Sequence, residues 1–427
     1  MNIVVAGTGY VGSVTGVCLA EKGHFVTCVD NNENKIQKLK EGKPSLYEPE
    51  LENLMAKNKE RLLYTTDGEN AYKTADVIFI AVGTPEKSDG SANLSFVFSV
   101  AEQIAESLLK DCIVVVKSTV PIGTNDEVEQ FIKNKVKNGI NVEIASNPEF
   151  LAQGTAIRDT LFASRIIIGA ESEHAASVLK EVYKDFDAPV LVTNRRSAEM
   201  IKYASNDFLA LKISYINEIA NLCEIIGADI SDVTKGMSYD PRIGKNFLNA
   251  GIGYGGSCFP KDTKALHWLA NYNDYELKTI KATIEVNENQ KIRLIKKAKK
   301  YHPSFSGLNI AILGLTFKPG TDDLRESPSL SNVPVLLEDG ANIKVWDPAG
   351  ADNFKKIFPQ IGYCETIEET LKNADLCFIF TEWSEIKNLN LKIFKSHMKT
   401  PIVLDGRNCF NVQKAKEAGL IYDSIGR

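Results

Sequence analysis

The amino-acid sequence predicts an α/β fold in which two doubly wound parallel sheets face each other and are joined by a long central helix with a helical connector. Short apolar, β-branched runs alternate with segments of helical composition near both ends of the chain. A glycine-rich turn follows the first run, and a helical pattern from about residue 197 to 227 separates the two α/β regions. We therefore expect domains over residues 1–196, 197–300 and 301–427.

The first predicted strand, Asn2 to Ala6, leads directly into a turn with glycines at 7, 9 and 12 and then into a helical segment. Gly7 suits the tight turn, Gly9 lets the backbone approach a pyrophosphate, and Gly12 lets helix and strand pack closely. Asp30 ends the next strand, 18 residues after Gly12. Its carboxylate would bind a ribose diol and repel a 2′-phosphate, and no Arg follows it. This order predicts a Rossmann-like unit that binds NAD rather than NADP.

Three further predicted strands of this region end in small polar residues. These ends are Gly83-Thr84-Pro85, Lys117-Ser118-Thr119 and Ser146-Asn147-Pro148-Glu149. Each stretch alone is equally consistent with a simple turn. Ligands bind at the carboxyl edge of an open parallel sheet, so three polar ends on one edge favour a binding site.

The composition is that of a globular protein of two or three domains, with 427 residues, 44% of them hydrophobic and 25% charged. A net charge of −5 argues against nucleic acid as the main partner. No apolar run approaches the roughly 20 residues of a membrane span, and nothing at the N-terminus suggests export. The eight cysteines and five histidines are scattered. We therefore expect a cytoplasmic protein with reduced thiols and no metal site.

The long helical pattern places Lys202 and Asn206 four residues apart, on one face. Such a pair most often lies on a solvated surface and has no function. After this helix, a turn of Asp240-Pro241-Arg242-Ile243-Gly244 offers Arg242 as a contact for an anion.

A glycine-rich bend at 253–256 precedes Cys258, and Lys261 and Asp262 follow three and four positions later. A thiolate is a strong nucleophile and an acyl carrier, and an adjacent ammonium favours it over the thiol. Asp262 could accept a proton from a water molecule once an acyl group is bound to sulfur. A cysteine in such a bend is more often inert, but the nucleotide-binding turn upstream favours a catalytic thiol.

A second α/β unit begins with the predicted strand Leu308 to Leu313. Its turn has Gly314 but no second or third glycine, and it carries Lys318 and Arg325 instead. Side-chain cations could hold a nucleotide diphosphate there. We expect the Cys258 loop to lie near the cleft between the two α/β units, a common place for a substrate.

These features together resemble the nucleotide-sugar 6-dehydrogenases of the UDP-glucose/GDP-mannose dehydrogenase family, over essentially the whole chain. Within that family the chain is most similar to the members that act on UDP-glucose. The motifs that carry the resemblance are Val5-Ala-Gly-Thr-Gly-Tyr-Val-Gly12, Ser146-Asn-Pro-Glu-Phe-Leu151, Lys202-Tyr-Ala-Ser-Asn206, Asp240-Pro-Arg-Ile-Gly244, Gly255-Gly-Ser-Cys-Phe-Pro-Lys-Asp262 and Phe317-Lys-Pro-Gly-Thr-Asp-Asp-Leu-Arg-Glu-Ser327.

The resemblance implies oxidation of UDP-glucose to UDP-glucuronate with two NAD⁺ and one water, through a thiohemiacetal and a thioester on Cys258. It makes the three predicted domains NAD-binding, connecting and dimerising, and UDP-binding, in a homodimer. The implied catalytic residues are Cys258, Lys202, Asn206, Asp262, Glu149 and Thr119. The implied NAD-binding residues are Gly7, Gly9, Tyr10, Val11, Gly12, Asp30, Lys35, Thr84 and Thr119. The implied substrate-binding residues are Glu149, Phe150, Leu151, Lys202, Asn206, Arg242, Tyr254, Gly255, Lys318 and Arg325, with Arg407 a weaker candidate.

Three alternatives to this interpretation differ in observable ways. Relatives that act on UDP-N-acetylhexosamines tend to have a Gly-Gly-His-Cys loop without the Lys-Asp pair, and those that act on GDP-mannose differ before the loop. A β-hydroxyacid-type dehydrogenase would perform one oxidation, need no thiol and leave the second α/β unit unexplained. A regulatory protein that had lost turnover would lack the nucleophile or the Lys-Asp pair. Gln153 replaces a charged residue of some relatives, which puts a charge role at that position in doubt.

Overall fold

The structure is a computed structural model that describes residues 1–137 and 139–427. The chain divides into two compact units, Met1–Ser205 and Asn206–Arg427. A single helix, α9 (Arg195–Ile226), contains the boundary between them.

The first unit is built on an eight-stranded sheet with the order β3-β2-β1-β4-β5-β6-β7-β8. All neighbouring strands are parallel except β6 and β7, which pair antiparallel, a reversal that the sequence did not predict. The strands are β1 (Asn2–Ala6), β2 (Phe25–Val29), β3 (Leu62–Thr65), β4 (Val77–Ile80), β5 (Cys112–Val116), β6 (Val142–Ser146), β7 (Ile166–Ala170) and β8 (Val190–Thr193). The helices before α9 are α1 (Tyr10–Glu21), α2 (Glu33–Lys40), α3 (Leu51–Lys57), α4 (Gly68–Tyr72), α5 (Ser95–Ser107), α6 (Thr124–Lys133), α7 (Ala156–Leu161) and α8 (Glu173–Val182).

Strand β1 shows why these apolar runs become central strands. Ile3 and Val5 belong to the hydrophobic cluster on one face of the sheet, and Val4 and Ala6 belong to the cluster on the other. Successive side chains of a strand point to opposite faces, so a strand covered on both sides needs a continuous apolar run. The carboxyl ends of neighbouring parallel strands therefore lie side by side, and the polar residues that follow these strands lie at the same edge of the sheet.

The second unit contains a six-stranded, fully parallel sheet with the order β11-β10-β9-β12-β13-β14. Its strands are β9 (Asn309–Leu313), β10 (Asn342–Trp346), β11 (Gly362–Tyr363), β12 (Leu376–Ile379), β13 (Ile402–Asp405) and β14 (Ile421–Ser424). Its helices after α9 are α10 (Ile230–Ser238), α11 (Phe259–Tyr272), α12 (Lys278–Lys291), α13 (Arg293–Ala298), α14 (Pro328–Glu338), α15 (Ala351–Lys355), α16 (Ile367–Leu371), α17 (Ser384–Lys387), α18 (Lys392–His397) and α19 (Val412–Glu417).

Two Rossmann-like sheets joined by a long helix confirm the predicted fold class. In the second sheet, Ile310 and Ile312 pack on one face and Ala311 and Leu313 on the other, as in β1. Among the described helices, none is long and apolar enough to span a membrane.

Candidate active site

The glycine turn after β1 has the geometry that its sequence predicts. Gly7 has a φ of 100°, in the left-handed region that favours glycine, and its amide donates to the Val29 carbonyl at 2.7 Å. A Cβ on Gly12 would clash with the Gly7 carbonyl, whereas a Cβ on Gly9 would have no heavy atom within 4 Å. Gly9 is the N-cap of α1, so open space lies at the amino end of a helix, where a pyrophosphate fits.

Asp30 lies beside this turn at the end of β2. Its Oδ2 accepts hydrogen bonds from the Thr8 amide at 2.9 Å and the Thr8 hydroxyl at 2.7 Å, and Lys35 Nζ lies 3.9 Å away. Burial works to raise the pKa of Asp30, but the bonds from Thr8 and Asn32 and the charge of Lys35 outweigh it and hold the pKa below its ordinary value. Asp30 is therefore an anion at neutral pH, as a ribose acceptor must be.

The polar ends of β4, β5 and β6 meet at one edge, because these strands are neighbours in the sheet. The Thr84 hydroxyl donates to the Thr119 carbonyl at 2.8 Å, and Ser118 donates to the Val82 carbonyl at 2.7 Å. Lys117 Nζ donates to Asn147 Oδ1 at 2.9 Å. The contacts tie the three ends into one surface, as expected for a ligand site rather than for three independent turns.

Glu149 and Lys202 form a buried ion pair at this edge. Lys202 Nζ lies 2.9 Å from Glu149 Oε1, and the side chains are 4% and 6% exposed. The second oxygen of Glu149 accepts from the Leu151 amide at 2.8 Å. The Phe150 ring lies between two cations, with Arg165 Cζ at 3.9 Å and Lys202 Nζ at 5.4 Å from its centroid. A buried ammonium and carboxylate held this way can hold or move a proton beside a bound hydroxyl.

Two residues of the glycine motif have other roles in the fold. The Tyr10 hydroxyl accepts from the Gly154 amide at 2.9 Å, which links the start of α1 to the segment after Leu151. Val11 packs partly buried against the hydrophobic cluster of the first unit. Tyr10 thus connects the predicted cofactor turn to the predicted substrate segment within one unit.

Cys258 is exposed and is the N-cap of α11, so its Sγ lies at the positive end of a 14-residue helix. The loop before it is held tightly, because a Cβ on Gly255 would clash with the Glu326 carbonyl. Gly256 has a φ of 82°, and its amide donates to the Arg325 carbonyl at 2.7 Å. The glycines therefore let the loop lie directly on the 325–326 backbone, and this contact holds the loop that precedes the thiol.

Asp262 lies one helical turn after Cys258 and is 1% exposed. Its Oδ2 accepts from Asn206 Nδ2 at 2.6 Å, and its Oδ1 pairs with Lys261 Nζ. The backbone amide of Asp262 donates to the Cys258 carbonyl at 2.8 Å. A carboxylate with fixed partners so near the thiol is well placed to act as a base on its acyl derivative.

The predicted anion-binding cations of the second unit each have local contacts of their own. Arg325 forms a two-pronged contact with Asp323, with nitrogen–oxygen distances of 2.6 to 3.1 Å. Hydrogen bonding to Asp323 raises the pKa of Arg325, and the negative charge of Cys258 raises it further. Arg242 pairs with Asp240 at 2.6 Å, and its side chain is 88% exposed. Lys318 Nζ lies 5.7 Å from the centre of the Phe317 ring.

Two predicted contacts are used by the protein itself. Arg407 donates to the carbonyls of Phe380 at 2.9 Å, Gly253 at 3.2 Å and Phe317 at 3.0 Å, so it fastens the glycine loop to the second sheet. The Tyr254 side chain is 6% exposed. The Tyr254 amide donates to Asn287 Oδ1 at 2.8 Å and its carbonyl accepts from Asn287 Nδ2 at 3.1 Å, so its backbone is also bonded to the protein.

The second sheet has its own acidic residue at the position that corresponds to Asp30. Asp347 follows β10, and its Oδ2 accepts from the Leu315 amide at 2.6 Å and the Trp383 indole at 3.0 Å. Its Oδ1 accepts from Ala349 at 2.9 Å and Gly350 at 2.6 Å. Both oxygens are thus bonded to the protein, as at Asp30, where Oδ1 accepts from the Asn32 amide at 3.0 Å. The second sheet differs in keeping Gly314 without the second and third glycines of the turn.

Two buried charged residues were not identified from the sequence. Lys117 was named only as part of a polar strand end, and Asp207 was not named. Burial lowers the pKa of Lys117 to about 8, with Glu149 opposing the shift and Lys202 adding to it. Asp207 follows Asn206 and is 2% exposed. A charged residue at a strand end or on a helix is ordinary, and only tertiary packing buries it. The described residues contain no group of three or more metal-ligating side chains.

Comparison with known proteins assigns this fold to a family. A glycine turn with an acidic residue, followed by a cysteine loop with a buried carboxylate, defines a dinucleotide-dependent dehydrogenase. The models of the UDP-glucose/GDP-mannose dehydrogenase family match residues 1–187 as its NAD binding domain, 196–289 as its central domain and 311–412 as its UDP binding domain. The chain therefore belongs to the UDP-glucose/GDP-mannose dehydrogenase family, and NAD is its cofactor.

Individual relatives agree with this assignment. UDP-glucose 6-dehydrogenase YwqF of Bacillus subtilis is 49% identical over 100% of this chain and 98% of its own length. The solved UDP-glucose dehydrogenase of Pyrobaculum islandicum has a TM-score of 0.93 and 38% identity, over 99% of this chain and 96% of that one. The solved UDP-D-ManNAc dehydrogenase of Pyrococcus horikoshii has a TM-score of 0.89 and 28% identity, over 100% of this chain and 99% of that one.

Proposed function

We propose that the protein oxidises UDP-glucose to UDP-glucuronate in two steps, reducing two NAD⁺ and consuming one water. The observation that carries this proposal is Cys258 at the start of α11, one turn from a buried Asp262 with fixed partners. An alcohol oxidation that stopped at the aldehyde would need neither group. The identity to UDP-glucose dehydrogenases supports the choice of sugar.

NAD⁺ bound at the glycine turn would accept the hydride of each oxidation, and the residues present fit it. Gly9 leaves open space at the amino end of α1, and the ionised Asp30 is available to a ribose diol. The side chains of Tyr10, Val11 and Lys35 belong to the same turn and the helix that follows β2. Thr84 and Thr119 lie at the ends of the neighbouring strands, where the nicotinamide ribose would reach.

In the first oxidation, a base takes the proton of the C6 hydroxyl. We assign this role to a water, or to Lys202 after its ammonium has passed a proton to Glu149 Oε1, 2.9 Å away. Lys202 and Asn206 resemble the pair that stabilises the oxyanion in this family. A donor in a water-excluded site stabilises such charge more strongly than water does.

In the second oxidation, the Cys258 thiolate forms a bond to the aldehyde carbon and the carbonyl oxygen takes a proton, which gives a thiohemiacetal. Loss of a hydride from carbon and a proton from oxygen then gives a thioester. Asp262 takes a proton from water as the water oxygen bonds to the thioester carbon. The sulfur–carbon bond then breaks, which releases the Cys258 thiolate and the product as a carboxylate. Glu149 and Thr119 are the family's further residues near this water.

Binding of the nucleotide sugar is assigned to two kinds of group. Lys318, Arg325 and Arg242 would meet the diphosphate or sugar as cations, the two arginines by exchanging their aspartate partners for phosphate oxygens. Phe150, Leu151, Tyr254 and Gly255 are the further residues that the family resemblance implies for binding of the sugar.

We further propose that the protein is a homodimer in the cytoplasm. On α9, Phe208, Tyr215 and Leu222 are spaced by seven residues and are 61%, 50% and 49% exposed, so they form one apolar stripe that a second copy could cover. None of the eight cysteines, all of which lie in the described part of the chain, forms a disulfide, which is consistent with a reducing compartment. The division into an NAD-binding domain (1–196), a connector that dimerises (197–300) and a UDP-binding domain (301–427) belongs to the same proposal.

A second candidate substrate is another nucleotide sugar, because the Pyrococcus horikoshii relative shares the fold. The test is the number of NADH formed per sugar, with each nucleotide sugar limiting and NAD⁺ in excess. We expect about two NADH and an acidic product with UDP-glucose, and no steady turnover in Cys258→Ala. One NADH per sugar would refute the double oxidation. Two NADH only with UDP-N-acetylhexosamine or GDP-mannose would keep the chemistry and change the substrate.

A further inference from the structure

Asp207 is a buried carboxyl group that the proposed reaction does not use. It lies on α9, directly after Asn206, and is 2% exposed. Among the described residues, neither carboxylate oxygen has a hydrogen-bond partner. An ionised carboxylate in such a place would lose its hydration without compensation, which is costly.

The groups that act on Asp207 lie within the second unit. The pKa of Asp207 is raised to about 8. Burial is the largest cause, the negative charge of Asp262 adds to it, and the positive charge of Lys261 opposes the shift. Tyr254 also faces it, since the charge of Asp207 contributes, after burial, to raising the pKa of the Tyr254 phenol. Asp207 therefore shares an electrostatic environment with the carboxylate assigned to hydrolysis.

The charges of this cluster balance only when one carboxyl group is neutral. Lys261 is one cation, and it pairs with Asp262, which is also held by Asn206. If Asp207 were ionised as well, two buried carboxylates would share one ammonium. The proton belongs on Asp207, because Asp262 has both a cation and an amide donor while Asp207 has neither.

We propose that Asp207 is a positioning residue, kept as a neutral carboxylic acid, that confines the negative charge of the cluster to Asp262 beside the Cys258 loop. This inference rests on the proposed role of Asp262. When Asp207 loses its proton, the second charge draws Lys261 away from Asp262 and opposes the anions that form at Cys258. Turnover is then limited on the alkaline side by Asp207.

Infrared difference spectroscopy of the full-length protein tests the protonation directly and needs no turnover. A protonated carboxyl group absorbs at a C=O stretch distinct from that of a carboxylate. We expect such a band at pH 7 in the wild type, lost as the pH passes through about 8, and absent from Asp207→Asn. Burial also raises the pKa values of Glu199 and Asp405, so the assignment uses the difference between wild type and Asp207→Asn.

A second variant tests the coupling even if Asp207→Asn does not fold. In Asp262→Asn the like charge is gone and Lys261 is free to pair with Asp207, so the midpoint of the band should fall by about one pH unit or more. A band that is missing at pH 7 in the wild type, or that persists in Asp207→Asn, overturns the proposal. So does an unchanged midpoint in Asp262→Asn.

The kinetic consequence is a difference in pH profile. The ratio of kcat above pH 8 to kcat at pH 7 should be higher in Asp207→Asn than in the wild type, because an amide stays neutral. Equal ratios with the infrared result intact would mean that Asp207 is neutral but does not position Asp262, and would overturn the positioning role. Failure of the NADH stoichiometry would instead concern the proposed reaction, since the infrared band does not depend on it.

Discussion

Replacing Glu149 by Gln should strongly destabilise the first unit. The substitution keeps the shape of the side chain but leaves Lys202, whose side chain is 4% exposed, without its carboxylate at 2.9 Å. Lys117 is a second buried cation. The charge of Glu149 stabilises its protonated form, and the charge of Lys202 destabilises it. Without Glu149 the two ammonium groups repel each other in a site from which water is excluded.

The expected magnitude follows from the burial of this pair. Removing one partner of a buried ion pair costs about 3–5 kcal/mol, because the other charge stays uncompensated. At roughly 1.4 kcal/mol per tenfold change, backbone amides that exchange through opening of this region should exchange about a hundred- to several-thousand-fold faster. Hydrogen-exchange mass spectrometry on peptides of β5 and β6 measures this rate, and peptides of β9 in the second unit serve as the internal reference.

A matched control lies on β6, the strand that precedes Glu149. The partner of Glu143 on this strand, His174, is 69% exposed, so Glu143→Gln should change the free energy of opening by less than about 1 kcal/mol. The double variant Glu149→Gln with Lys202→Met removes both charges and should recover most of the loss. An effect of Glu149→Gln no larger than that of Glu143→Gln would refute the reasoning.

The penalty should also depend on pH, with a defined sign. Burial is the main cause that lowers the folded-state pKa of Lys117 from 10.5 to about 8, so the cost of protonating it in the folded state builds up as the pH falls from about 10.5 to about 8 and is complete below that value. Loss of Glu149 lowers this pKa further. The part of the Glu149→Gln penalty that acts through Lys117 should therefore be full below the lowered pKa of the variant, shrink as the pH rises from there to about 8, and be absent above about 8, where Lys117 is neutral in both folded proteins. A penalty that grows over this range would contradict the sign.

Four other substitutions test the remaining sites. Asp30→Asn should raise the KM for NAD⁺ and reduce the preference over NADP⁺, by about tenfold if one charged hydrogen bond is lost, and steady-state kinetics with both cofactors measures it. Arg325→Ala and Lys318→Ala should each raise the KM for UDP-glucose more than that for NAD⁺, and equal effects on both would indicate a folding defect. Gly255→Ala should lower kcat and loosen the Cys258 loop, because its Cβ would clash with the Glu326 carbonyl; alkylation of Cys258 at an unchanged rate would contradict this.

Local sequence predicted the parts of the molecule that depend on backbone conformation. The glycine turn at Gly7 and the bend before Cys258 require positive φ or close backbone approach, which restricts the residue type. The central strands could also be predicted from the sequence, because burial on both faces requires continuous apolar runs. Apolar runs do not specify the direction in which strands pair, and the antiparallel pairing of the interior strands β6 and β7 was not predicted.

Roles that arise from tertiary contacts were not visible in the sequence. Lys117 and Asp207 look like ordinary polar residues until the neighbouring strands and α11 bury them. Arg407 was a weak candidate for a ligand contact, yet its nitrogens bind three carbonyls of distant segments. Phe208 belongs to the apolar pattern of α9, but it is 61% exposed rather than part of the core.

The second sheet keeps Gly314 but lacks the second and third glycines of a dinucleotide turn, and this difference determines the timing of the proposed reaction. A chain with one working dinucleotide site cannot hold two oxidants at once, so the two equivalents of NAD⁺ must occupy the Gly7 turn in succession. The first reduced cofactor has to leave before the second oxidation begins, while the half-oxidised sugar stays behind. The protein must therefore retain the aldehyde for longer than one cycle of cofactor exchange takes. The covalent bond to Cys258 provides this retention, because the sugar cannot diffuse away while the bond exists.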